Sequence, residues 1–145
     1  MGHQDKVKKL GCSKPHREAM LANMAMSLFQ HRMIKTTEAK AKALRPIVDR
    51  LIVTAKKGTL ASKRQVARTI RQKDLFKKFY AEIVPQFKDR DSGFTRVMKL
   101  GVRRGDGAPL SIVELLTEKP VEKEAKPKKK KGVREALASK AGKAR

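Results

Sequence analysis

Three histidines, His3, His16 and His31, and one cysteine, Cys12, are the side chains of this sequence best suited to metal or nucleophilic chemistry. Their spacing supports neither. No HxxxH or CxxC pattern places two ligands together, so a metal site is not expected. Cys12, in a Lys-rich stretch, could carry a lowered thiol pKa. It reads more simply as an incidental thiol, and a lone cysteine forms no internal disulfide, which fits a reducing compartment. Asp89-Arg90-Asp91-Ser92-Gly93 begins like a calcium loop, but its fifth residue is Gly and its twelfth is Leu100, where a bidentate Glu is needed. Gly105-Asp106-Gly107 lacks the strand–turn–helix setting of a phosphate-cradling loop, and Arg104-Gly105-Asp106 reads as a hairpin turn rather than an adhesion signal. No catalytic constellation emerges, and neither a cofactor nor a small-molecule substrate is expected.

What remains is positive charge. Thirty-seven Lys and Arg stand against 14 Asp and Glu, a formal net charge of +23 on 145 residues. Residues 117–145 hold +7 of it, leaving +16 on residues 1–116, which also carry the hydrophobic periodicity. A folded body this basic repels itself unless a dense polyanion neutralises it, the electrostatic footprint of a nucleic-acid binder. Five Phe and one Tyr leave few stacking platforms for single strands. Phe76, Phe79 and Tyr80 share a helical face and read as core. No apolar run approaches the ~20 residues that span a bilayer, and the N-terminal MGHQDKVKKL has no signal-peptide core, so a cytoplasmic protein is expected.

Behind these residues stand the elements that must position them. Residues 1–14, with Lys6, Lys8, Lys9 and Lys14, read as an extended basic arm. Ser13 is placed to cap a first helix over roughly 15–30, with Pro15 in its first turn and Met20, Leu21, Met24 and Leu28 at helical spacing. Arg32–Lys35 is short enough for a brief strand. The longest helix starts at Thr36-Thr37-Glu38, carries Leu44, Ile47, Val48, Leu51, Ile52 and Ala55 as its stripe, and ends at Lys56-Lys57-Gly58. Pro46 inside it should kink or split it. A basic helix over 60–71 has only Leu60, Val66 and Ile70 as apolar contacts. Asp74 can cap a fourth helix with Leu75, Phe76, Phe79, Tyr80, Ile83 and Val84 on a wide apolar face, stopped by Pro85.

The period then becomes alternating. In Phe94–Arg103, Met98, Leu100 and Val102 point one way and Thr95, Lys99 and Arg103 the other. After the turn 104–107, Leu110 to Leu116 form a second strand. This hairpin is expected to pack its Leu100 side against the Leu75–Val84 face. The expected fold class is therefore α+β: a two-layer domain over 15–116, about four helices on a small sheet containing the C-terminal hairpin. A Lys-rich tail over 117–145, including the run Lys128–Lys131, buries too little apolar surface to order itself.

The ordered motifs resemble a known family. His16-Arg17, Met20, Asn23-Met24, Ile34-Lys35-Thr36-Thr37, Lys40-Ala41-Lys42 and Leu44-Arg45 are similar to the opening of the bacterial large-subunit ribosomal protein seventeen family. Leu51-Ile52, Ala55-Lys56, Gly93 through Lys99, Gly105-Asp106, Ala108-Pro109 and Ile112 to Leu115 continue the likeness over about residues 12–116. One departure is Ser92-Gly93-Phe94, where the family usually has Gly-Gly-Tyr. The resemblance implies helices on one side of a small sheet and a structural role in the large ribosomal subunit. It further implies binding of the large ribosomal RNA near the peptide exit, with neighbouring large-subunit proteins as further partners.

The expected RNA contacts are His16, Arg17, Asn23, His31, Lys35, Thr36, Lys40, Lys42, Arg45, Arg96, Lys99, Arg103 and Arg104, with Lys6, Lys8 and Lys9 of the arm. The first helix, the Thr36–Arg45 segment and the basic side of the hairpin would clamp backbone, Arg by bidentate contacts and Lys by diffuse neutralisation. Folded RNA would then be recognised by shape. An architectural DNA-binding protein shares the charge and the tail. A membrane-surface or acidic-partner module needs bulky apolar anchors on a basic helix, which 60–71 lacks.

Overall fold

The computed structural model describes residues 8–117. Helix α1 spans Lys14–His31, strand β1 Met33–Thr37, α2 Glu38–Lys56, α3 Leu60–Thr69 and α4 Lys73–Lys78. After α4 the chain winds through a π-helical segment, Phe79–Ile83, and a 3₁₀ turn, Val84–Phe87. Strands β2, Thr95–Val102, and β3, Pro109–Leu115, follow. All three strands form one antiparallel sheet in the order β1-β3-β2. The architecture is α+β, as the change of hydrophobic period indicated.

One core joins the layers. Leu21, Ala25, Leu28 and Phe29 of α1 meet Ala41, Leu44, Val48, Leu51, Ile52 and Ala55 of α2, and the inner side of the sheet closes on them through Val113 and Leu115. Arg32 is the joint. Its φ of +65° ends α1 in the left-handed conformation, with its N–H donating to the Leu28 carbonyl at 2.8 Å. Its own carbonyl accepts from Leu115 N–H at 2.9 Å, and its guanidinium pairs with Glu82 at 3.1 Å. One residue thus ties α1, β3 and the π-helical segment together.

Several expectations are corrected. The hairpin packs on α1 and α2, and the Leu75–Val84 stretch reaches the same core through Phe79, whose ring lies 4.6 Å from that of Phe29. Met98, Leu100 and Val102 lie on the outer, solvent side. The inner row of β2 is instead Thr95 and Val97, because Val97 pairs with buried Val113 and Thr95 with buried Leu115. Alternation located the two sides of the strand but could not say which one the helices cover. A bulge between Lys99 and Gly101, where Gly101 has φ +125°, then shifts the register before the turn.

Pro46 does not split α2, which runs unbroken from Glu38 to Lys56; the bond it cannot donate is outweighed by the buried stripe around it. Ser13 makes no side-chain cap, and its carbonyl instead accepts from Arg17 N–H at 2.9 Å. Gln72, not Asp74, occupies the N-cap position of α4 and makes no side-chain cap, with Asp74 inside the first turn. Leu60 is exposed, and Pro85 sits within the 3₁₀ turn that continues to Phe87. Phe94 is fully buried edge-on against Phe87 at 5.1 Å. Residues 8–13 are not an extended arm: Leu10 and Gly11 take positive φ, Cys12 N–H closes on the Lys9 carbonyl, and Leu10 packs on the core. The arm's Lys6 and the tail 118–145 lie outside the described residues.

Candidate nucleic-acid interface

The start of α2 gathers cations from three separate stretches of chain. Glu38, in its first turn, pairs with Lys42 one turn on, at 2.5 Å. The Glu38 carboxyl is held below its ordinary range by the hydrogen bond from Lys42 and by that ammonium's charge, with Lys99 of β2 and Lys8 adding to the pull. Thr36 stands beside them, since Thr36 and Lys99 both pair with Ser111 and share one row across the inner side of the sheet. Three lysines around one carboxylate leave a local excess of positive charge, the arrangement a phosphate backbone neutralises.

Next to this cluster a groove of about 600 Å3 runs between α1 and β1. His16, Asn23 and Ser27 line it from α1, and Lys35 and Thr36 from β1, over a floor of Met20, Met24 and Ile34. Positions 16, 20, 23 and 27 fall on one side of a helix, which is why α1 can bury Leu21, Ala25, Leu28 and Phe29 on its other side. A second groove of about 600 Å3 lies across the α1 ridge and is lined by Ala19 and Asn23, which also line the first, with Arg68 and Arg71 opposite. The two grooves and the ridge form one surface from β1 to α3.

Not all candidate cations are equally free. Arg17 spends its guanidinium on the carbonyls of Lys9 and Cys12, at 3.3 and 3.4 Å, and so holds the turn at 9–12 against α1. Arg103 makes two hydrogen bonds to Asp106 within the hairpin turn, leaving Arg104 as that turn's exposed, unengaged arginine. The pairing draws the Asp106 carboxyl down to about 2, chiefly through the Arg103 hydrogen bond. Arg45 faces Asp49 at 4.0 Å. Lys40 is half-buried on α2, while Lys9 is exposed in the turn before α1.

Register divides the rest between the two ends of the sheet. Thr37 and Gly101 both pair with Leu110, so the hairpin turn, Lys99 and the start of α2 share one end. Arg96 and Met33 both pair with Glu114 at the other, next to His31 at the end of α1. His31 and Arg96 line neither groove and lie at the end of the sheet away from the lysine cluster.

Four further cations belong to this surface or continue it: Lys63, Arg64, Arg68 and Arg71 on or just after α3, all exposed. They were absent from the candidates drawn from the sequence, although the signal was there. From Arg50 to Lys73 the chain has eight Lys or Arg and no Asp or Glu. α3 is held in place by Thr59, whose hydroxyl accepts from Ser62 N–H at 3.2 Å, and by buried Val66 and Ile70. Its charged side is thus presented on a fixed scaffold.

Among the described residues no group of three or more His, Cys, Asp or Glu could hold a metal ion, and no helix is long and apolar enough to cross a membrane. Comparison with protein-family models matches residues 20–116 to the family described as Ribosomal protein L17. That span begins within α1 and ends just beyond β3, so it takes in both grooves and the whole sheet. The chain belongs to the ribosomal protein L17 family, structural proteins of the large ribosomal subunit.

Proposed function

We propose that this chain binds large-subunit ribosomal RNA directly, as a non-catalytic structural protein, through the surface running from the Lys8–Lys42–Lys99 cluster across the α1 grooves to α3. The observation that carries the reading is the convergence of lysines from the turn before α1, from α2 and from β2 on one carboxylate, beside a groove with polar walls. Cations held by a scaffold set the register of an RNA backbone, whereas cations on a loose chain only raise its affinity. Lys35 and Thr36 on β1, Asn23 and His16 on α1, and Arg68 and Arg71 by the second groove extend that surface. The proposal includes placement near the peptide exit, among neighbouring large-subunit proteins and in the cytoplasm, a reading that the family match supports.

Competition between tagged variants for incorporation into large subunits tests the assignment. A variant with Lys42, Lys99 and Arg68 replaced by Ala should lose to the wild-type chain and wash off subunits at lower salt. Equal incorporation and equal salt resistance would refute this surface. Comparable affinity for duplex DNA and for ribosomal RNA would favour an architectural DNA-binding protein instead.

A further inference from the structure

We propose that the groove between α1 and β1 seats one unpaired nucleobase of large-subunit ribosomal RNA, adenine by preference; this rests on the RNA-binding reading above. The floor of the groove is the first reason. Met20, Met24 and Ile34 offer thioether and aliphatic surface, where an ionised phosphate would lose hydration without gaining a partner. A base plane suits that floor, because its faces are apolar and aromatic and thioether sulfur packs favourably against aromatic rings. The groove also has the room: about 600 Å3 lies within the range of sites that hold a small organic ligand.

Polar groups at the rim supply the second reason. The Asn23 amide carries a donor and an acceptor in one plane, the complement of the adenine Watson–Crick edge, where N6–H donates and N1 accepts; cytosine offers the same pair, and the groove's volume of about 600 Å3 favours the larger purine. The Ser27 and Thr36 hydroxyls can meet the sugar or a second edge. No Phe or Tyr lines the groove, so the base would be held between helix and strand rather than stacked on a ring. The cations are placed for the nucleotide's backbone: Lys35 at the groove wall, and Lys99 in the same cross-sheet row as Thr36. Base contact and phosphate contact are thus assigned to different side chains, which makes them separable.

Asn23→Ala and Ser27→Leu change exposed positions on a long helix and insert good helix formers, so both variants should fold, as circular dichroism would verify. The probe is full-length large-subunit ribosomal RNA, with dimethyl sulfate reporting N1 of unpaired adenines and hydroxyl radicals reporting the backbone. The wild-type chain should protect the N1 of one unpaired adenine. Asn23→Ala should expose it, keep the backbone footprint, and weaken binding roughly 5- to 100-fold with an unchanged salt slope, as loss of a two-point base contact requires. Ser27→Leu, which fills the groove, should do the same. If both variants keep the N1 protection and the affinity, the base seat is refuted. A shallower salt slope in Asn23→Ala would also refute it, because the groove would then hold backbone. A wild-type chain that leaves no footprint of either kind would overturn the RNA-binding reading itself.

Discussion

Replacing Lys42 and Lys99 together with Ala removes two of the three lysines gathered about Glu38 and touches no buried side chain. If each neutralises one phosphate, the slope of log affinity against log salt should become shallower by roughly 1.4 to 1.8, at 0.7 to 0.9 per contact. Over a fourfold rise in salt, from about 50 to about 200 mM, the deficit of the variant should therefore shrink by roughly 7- to 12-fold. Filter binding to large-subunit ribosomal RNA at four or five salt concentrations measures both lines. Parallel lines would refute the reasoning, because a change confined to the intercept means that neither lysine displaced a counterion. A double substitution in α4, Lys73→Ala with Lys77→Ala, serves as the equal-charge control, since α4 lies outside the proposed surface. If this control flattens the slope as much, bulk charge rather than the Glu38 cluster governs binding.

Four other outcomes follow from the geometry. Glu38→Gln should raise RNA affinity, measured by the same filter binding, because it removes the carboxylate that competes with phosphate for the Lys42 ammonium, now paired at 2.5 Å; unchanged affinity would place Lys42 away from the RNA. Val113→Asp, at a fully buried position of the central strand, should cost several kcal/mol, whereas Leu100→Asp on the solvent side should stay within about 0.5 kcal/mol; urea denaturation compares them, and equal losses would reverse the orientation of the sheet. Burial raises the Asp49 carboxyl against the pull of Arg45 and the Phe94 amide, so folding favours its protonated form and stability falls as pH rises through that raised value. Asp49→Asn should accordingly raise the melting temperature at neutral pH and lose that advantage in acid. The Asp106 carboxyl should titrate at about 2 by carbon NMR and return toward the ordinary range in Arg103→Ala; the stability it lends is present above its unfolded value and disappears as pH falls toward about 2.

Local chemistry was legible in the sequence wherever a short stretch of chain decides the outcome. Helical spacing marks the buried stripe of α2, the change to alternation marks β2 and β3, and the Gly-Asp turn between them closes through Arg103 and Asp106 as its residues suggest. The net charge points toward a polyanionic partner, and the ordered motifs point to the family that residues 20–116 match. The exposure of His16, Asn23 and Lys35 was likewise readable, because each lies opposite the buried side of its own element, whereas Thr36 is half-buried on the inner side of the sheet.

Which side of the hairpin meets the helices was not legible. Met98, Leu100 and Val102 are as apolar as Val97, Val113 and Leu115, and only the position of α1 and α2 over the sheet selects one set. The same holds for the interface. Lys8, Lys42 and Lys99 are far apart in the chain, and nothing local says that the charges of Lys8 and Lys99 reach the Glu38 carboxylate that Lys42 pairs. Arg17 and Arg103 look as available as Arg104 until the fold supplies carbonyls to one and Asp106 to the other. Periodicity and charge are properties of neighbours along the chain, so the sequence by itself determined the elements and the net charge that points to a polyanion. Which cations converge, which are already spent, and which apolar side faces solvent depend on contacts between distant residues, and those only the tertiary structure decided.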